Sequence, residues 1–189
     1  MSPSSPHLGS SMATVSALPA LRPGVLIIEA SSQINAPIDT VWDTLFDLPG
    51  FHEWNPFVRA MHIQDISGQT ISRDPVLGDQ AVIRTNIPPV LNGAGKNEVT
   101  CTIAEFDKAN HRAQWNADKF PHWFLYSSRW SVLSEVVLAD GQKQTRYETR
   151  EVFSGLGAWL VKWFIGSGLQ RGFNEMASSL KLRAEEHVS

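Results

Sequence analysis

Thr145-Arg146-Tyr147-Glu148-Thr149-Arg150-Glu151-Val152-Phe153 alternates side chain by side chain, and Ser154-Gly155 then hands the chain to a helical stretch ending near Glu186. In a strand Arg146, Glu148 and Arg150 share one face, and three charges together require water. Tyr147, Thr149 and Glu151 therefore turn inward, and Phe153 continues their face toward the helix. A carboxylate on a buried face is costly unless it is hydrogen-bonded or neutralised, so Glu151 is expected to have a raised pKa and is a candidate acid or base. Tyr147 is the second candidate proton carrier. Each has a structural alternative: Glu151 can tie strand to helix, and Tyr147 and Thr149 can be satisfied core hydroxyls.

The helical stretch carries two apolar stripes. Leu156, Leu160, Trp163 and Phe164 make one, and Phe173, Met176 and Leu180 make the other. At about 100° per residue they differ by more than a right angle, so a straight helix cannot bury both against one surface. A kink or break is expected at Gly166-Ser167-Gly168. The run from Leu156 to Leu169 contains Lys162 and is shorter than the roughly 20 residues that span a bilayer, so no transmembrane segment is expected.

Upstream, strand-like runs cover Phe57–Gln64, Gln80–Ile87, Glu98–Phe106, Arg112–Ala117 and Phe124–Val137, joined by turns such as Asp140-Gly141. Short links between neighbouring strands make an antiparallel meander. Ala113, Trp115 and Ala117 share one face, and the small residues beside Trp115 leave space where a packed core would want volume. Along the next strand Tyr126, Ser128, Trp130 and Val132 share a face opposite Ser127, Arg129 and Ser131, and the first set is expected inward. Trp115, Tyr126 and Trp130 are then aromatic walls for a flat guest, with Ser128 and Thr149 as polar contacts and His62 as the strand histidine to test. Residues Asp118 to His122 fall at a hairpin end, near an entrance.

At the other end, Val25–Ile34 reads as a strand with Leu26, Ile28, Ala30, Ser32 and Ile34 on one face. Pro37 suits the first turn of a helix in which Ile38, Val41, Trp42, Leu45 and Phe46 recur at helical spacing, and Phe51–Trp54 adds a turn before Asn55-Pro56. Residues 1–23 are rich in Ser, Pro and Ala and lack periodicity, so they read as a disordered tail, with a single domain at 24–187.

The whole chain has 189 residues with 16 Lys+Arg against 19 Asp+Glu, a formal charge of -3 that gives no drive toward nucleic acid. Its single cysteine, Cys101, rules out an intrachain disulfide, and with no export signal the expected location is cytoplasmic. The histidines lack metal-ligand spacing and Gly93 and Gly95 do not form a phosphate loop, so neither a metal nor another cofactor is expected.

Ile34-Asn35-Ala36-Pro37 with Val41-Trp42, then Trp54-Asn55-Pro56-Phe57, resembles the opening of the START-like (SRPBCC) superfamily in its polyketide cyclase/dehydrase branch. Thr145-Arg146-Tyr147, Glu151, Phe153, Gly155, Gly172-Phe173 and Leu180-Lys181 resemble that branch's last strand and helix. The resemblance implies an α+β helix-grip fold, with a curved antiparallel sheet wrapped around a long C-terminal helix and two short helices after the first strand. It also implies an internal cavity for a hydrophobic, aromatic or polyketide-like molecule, and a cofactor-free cyclisation, dehydration or isomerisation. A passive lipid or small-molecule carrier and a protein-interaction module share the fold, and the oligomeric state stays open, a homodimer included. In related sequences the places of Thr149 and Ser128 often hold histidines, so histidine acid/base chemistry is not carried over.

Overall fold

The computed structural model describes residues 16–188. Strand β1 (Leu26–Ile34) passes through Pro37 into α1 (Ile38–Phe46) and α2 (Phe51–Trp54). Six strands follow: β2 (Val58–Gln64), β3 (Gln80–Thr85), β4 (Asn97–Asp107), β5 (Arg112–Ala117), β6 (Tyr126–Val137) and β7 (Lys143–Ser154). Helices α3 (Gly157–Phe164) and α4 (Gly166–Glu186) complete the order. All pairings are antiparallel in the order β1-β7-β6-β5-β4-β3-β2, so β1 closes onto the last strand while the meander runs away from it. Register shifts at Val58/Ala60 and Ile103/Glu105 bend the far half of the sheet. This is the helix-grip architecture.

The grip is a matter of helical period. Leu169, Phe173, Met176, Ala177, Leu180 and Ala184 recur three and four residues apart and are all buried along one side of α4. Gly172 lets that side approach the sheet, because a Cβ there would come within 2.4 Å of the Phe57 ring. Helix α1 buries Val41, Trp42 and Leu45, with the Trp42 ring 4.3 Å from Phe46 and 5.5 Å from Phe106. The Asn55 side chain accepts from the amides of Phe57 and Val58 at 3.0 and 2.8 Å, an Asx turn that aims the chain into β2.

Three expectations need correction. The helical stretch breaks at Ile165 (φ -129°, ψ -4°), one residue before the predicted glycines. Its first stripe is not buried at all: Leu156, Leu160, Trp163 and Phe164 are exposed, and α3 instead turns Gly157, Ala158 and Val161 inward. The outer face of β7 is not bare either. The Ala17 amide donates to Glu148 at 2.9 Å, Arg150 donates to the Pro19 carbonyl at 3.0 Å, and Arg146 pairs with Glu148 at 3.1 Å, leaving Glu148 only 4% exposed. Of the tail expected over residues 1–23, residues 16–23 are thus a strap held by side chains of β7, a role that needs no apolar period; residues 1–15 lie outside the described residues.

Gly172→Val is expected to lower stability by about 1–3 kcal/mol, because overpacking against Phe57 outweighs the gain in helix propensity. A fall in melting temperature checks it.

Candidate functional site

Between the far half of the sheet and the α3–α4 junction lies a cavity of about 550 Å³. Ile83, Cys101, Trp115, Ala117 and Phe153 wall it on the sheet side, with Val161, Ile165 and Leu169 opposite. Glu98, Lys119 and Phe120 line it while remaining exposed, which marks the mouth where residues 118–122 were expected to lie. The volume suits a small organic molecule.

Beside the polar groups toward the mouth (Asn97, Glu98, Thr100 and Lys119) and Thr85, strands β6 and β7 contribute Ser127, Arg129 and Glu151 to the lining. Strands β6 and β7 pair Arg129 with Glu151, and residues directly opposite in an antiparallel pair share a face. The Ser127 hydroxyl donates to Glu151 Oε1 at 2.7 Å. Glu151 is half-buried and lines the cavity. That burial holds its carboxyl above the usual carboxylate range, against the pull of Arg129 and the Ser127 hydrogen bond. Burial, and secondarily Glu151, pushes the Cys101 thiol up to about 12, so it is no thiolate nucleophile at neutral pH.

Arg129 is 5% exposed. Its Nε donates to Thr149 Oγ1 at 3.3 Å and its Nη2 to Met176 Sδ at 3.3 Å, while its guanidinium lies 4.1 Å from the Phe173 ring centroid and 5.5 Å from that of Trp115. A buried cation held by aromatic faces, a thioether and a hydroxyl is well placed to receive an anionic or strongly polarised oxygen. Thr149, itself accepting from Arg129 and donating to the Trp130 carbonyl at 2.7 Å, positions the guanidinium.

The expected site residues separate into four groups. Trp115 and Glu151 line the cavity. Thr149 and Tyr147 are on the inner face but lie deeper, 1% and 0% exposed, and neither lines the cavity; the Tyr147 hydroxyl has no hydrogen-bond partner among the described residues. Tyr126, Ser128 and Trp130 are on the outer face, opposite Ser154, Val152 and Arg150. There Gln114 donates to Ser128 at 2.8 Å, Arg112 sits 5.0 Å from the Trp130 ring centroid, and Tyr126 stacks on His122 at 4.4 Å. The face expected outward, Ser127 and Arg129, is the one that meets the cavity. Their signal was present in the sequence: once Glu151 is inward, a short hairpin places the partner strand's residues in register with it.

His62 lines a second pocket, of about 400 Å³, with Phe46, Met61, Ile71, Arg73 and Phe106. Its ring lies 3.0 Å from Gln64 Nε2. Trp115 borders both spaces.

Because the folded pKa of Glu151 is raised, the native state binds more protons than the unfolded one above the ordinary glutamate range, and stability falls as pH rises through the folded value. Glu151→Gln is expected to flatten that decline, so the variant gains on the wild type as pH increases. Denaturant midpoints across a pH series read it, and parallel curves for both proteins would contradict it.

Among the described residues no group of three or more His, Cys, Asp or Glu side chains could hold a metal ion, and no helix is long and apolar enough to cross a membrane. The family described as polyketide cyclase / dehydrase and lipid transport matches residues 26–185. A Penicillium oxalicum protein called oxopyrrolidines biosynthesis cluster protein O is 28% identical over 156 residues, covering 75% of this chain and 77% of that protein. Among solved structures, a hypothetical protein from Helicobacter pylori superposes with a TM-score of 0.64 at 13% identity, covering 90% of this chain and 99% of its own. An aromatase/cyclase from Streptomyces sp. R1128 gives 0.59 at 15%, covering 86% and 95%. A norcoclaurine synthase from Thalictrum gives 0.53 at 12%, covering 86% and 96%. These structural likenesses bear on the fold. With the family match running from β1 to the end of α4, the chain belongs to the START-like polyketide cyclase/dehydrase and lipid transport family.

Proposed function

We propose that the cavity binds a hydrophobic small molecule bearing ketone or related oxygens, of polyketide-like or aromatic type, and that the protein catalyses its cofactor-free cyclisation or dehydration. The observation that carries this reading is the pair Glu151 and Arg129, cross-strand partners that both line the cavity. The polyketide cyclase family and the relative named for an oxopyrrolidine biosynthesis cluster support the substrate class.

The chemistry follows from charge. A carboxylate whose proton affinity burial has raised is a stronger base toward a carbon acid than one in water. Glu151 takes a proton from the carbon between two carbonyls, and the electron pair moves onto the oxygen facing Arg129, where the guanidinium stabilises the enolate. Aromatic walls hold the chain folded so that the enolate carbon reaches a second carbonyl carbon and the C–C bond forms. Glu151 returns its proton to the new alkoxide; it then takes the remaining proton from the same carbon and delivers it to the departing hydroxyl, so that the C–O bond breaks, the C=C bond forms and water leaves. Atoms and electrons balance with no oxidant or reductant. Ser127 keeps the carboxylate aimed, and Thr149 and Met176 keep the guanidinium aimed.

A synthetic poly-β-keto thioester serves as probe, with cyclised product followed by absorbance and mass spectrometry and binding by quenching of tryptophan fluorescence. Glu151→Gln is expected to lower the cyclisation rate by about 10²-fold or more while binding changes little. Arg129→Met is expected to cost a similar factor, its fold verified by circular dichroism. Binding with no product above the uncatalysed rate would replace this reading with that of a passive carrier.

A further inference from the structure

We propose that the outer side of α3, together with the loop at 119–123, is a surface that docks the protein onto an anionic lipid membrane. In α3 the inward positions are Gly157, Ala158 and Val161, Ile165 after it borders the cavity while partly exposed, and the remaining stripe faces solvent. That stripe holds no small polar residue. Trp159, Leu160, Trp163 and Phe164 are 45%, 51%, 70% and 80% exposed. Phe120 and Trp123 on the loop are 50% and 68% exposed and join the same patch: the Leu156 amide donates to the Trp123 carbonyl at 3.1 Å, and the Phe124 ring lies 5.8 Å from Trp123 and 5.7 Å from Phe120. An exposed aromatic surface of this extent marks an interaction site rather than ordinary surface scatter.

Charge identifies the occupant. The chain as a whole is acidic, with a formal charge of -3, yet residues 119–125 and 155–168 contain no Asp or Glu and two lysines, Lys119 and Lys162. Lys162 Nζ lies 5.2 Å from the Trp159 ring centroid, so cation and aromatics sit at one level, as in helices that lie in the headgroup layer of a bilayer. Two copies meeting through this patch would set lysine against lysine, because the carboxylates at its edge, Glu98 and Asp118, are already engaged by Arg84 and Thr102. A folded protein partner would require hydrogen-bonding groups that the patch hardly offers. A lipid layer requires apolar depth and tolerates cations beside it. Geometry agrees, because Lys119, Phe120 and Ile165 also line the cavity, so docking by this face sets the mouth against the lipid.

The test uses the full chain with sedimented vesicles of phosphatidylcholine, with and without phosphatidylserine. The wild type is expected to co-sediment and to favour the phosphatidylserine vesicles, with a blue shift of tryptophan emission. Trp163→Ser with Phe164→Ser is expected to lower the partition coefficient at least about tenfold with an unchanged melting temperature, since both side chains are largely exposed. Lys119→Ala with Lys162→Ala is expected to remove the phosphatidylserine preference alone. Glu151→Gln is expected to bind as the wild type does, so membrane docking and catalysis fail or stand separately. Wild type remaining in the supernatant with both vesicle types overturns the proposal. So does equal partitioning of the aromatic double variant, or a light-scattering dimer that this variant disperses while vesicles stay unbound.

Discussion

One helix cannot cover seven strands. At about 4.8 Å between strands the sheet is about 29 Å across, whereas a helix with its side chains is about 10–12 Å wide. Helix α4 packs along β1 and the strands beside it, and α1 reaches β4 through Trp42 and Phe46 on Phe106, so part of β3, β4 and β5 is left facing the α3–α4 junction across a gap. The cavity is that shortfall. Its walls are the inner residues of ordinary strands, among them the small Ala117 beside Trp115.

The same shortfall explains why a charge can lie inside. Arg129 emerges at the boundary between the covered and uncovered halves of the sheet, close enough to α4 to lean on Phe173 and Met176 and close enough to the cavity to face it. Such a group weakens the fold unless its hydrogen-bonding capacity is used, and here part of it is used by a thioether, a weak acceptor. Glu151 is in the converse state, half-buried and held above its ordinary proton affinity. Two neighbours each short of full compensation are the feature on which the proposed catalytic role rests.

Element order and both ends of the fold were legible in the sequence because they rest on period. The alternation of Tyr147, Thr149 and Glu151 and the helical spacing of Phe173, Met176 and Leu180 needed no partner to interpret. The site was half legible. Glu151 and Trp115 followed from their own strands, but alternation states that β6 has two faces without stating which is inside, and the aromatic face carrying Tyr126 and Trp130 was the natural choice. The structure covers that face from outside, with Arg112 over Trp130 and Gln114 on Ser128, and gives the interior to hydroxyls and an arginine. The strap at residues 16–23 was illegible for a related reason: its partners are side chains 131 positions away, and nothing in its own composition records them.

Trp115 borders two hollows, one lined by Glu151 and Arg129 and the other by His62. A single indole is therefore common to both, and its bulk limits how far each extends toward the other. Trimming that one side chain in the course of divergence would enlarge the space on either side of it, leaving strand order, grip and rim untouched. Range of substrates in such a scaffold can evolve from the middle outward, without rebuilding either end.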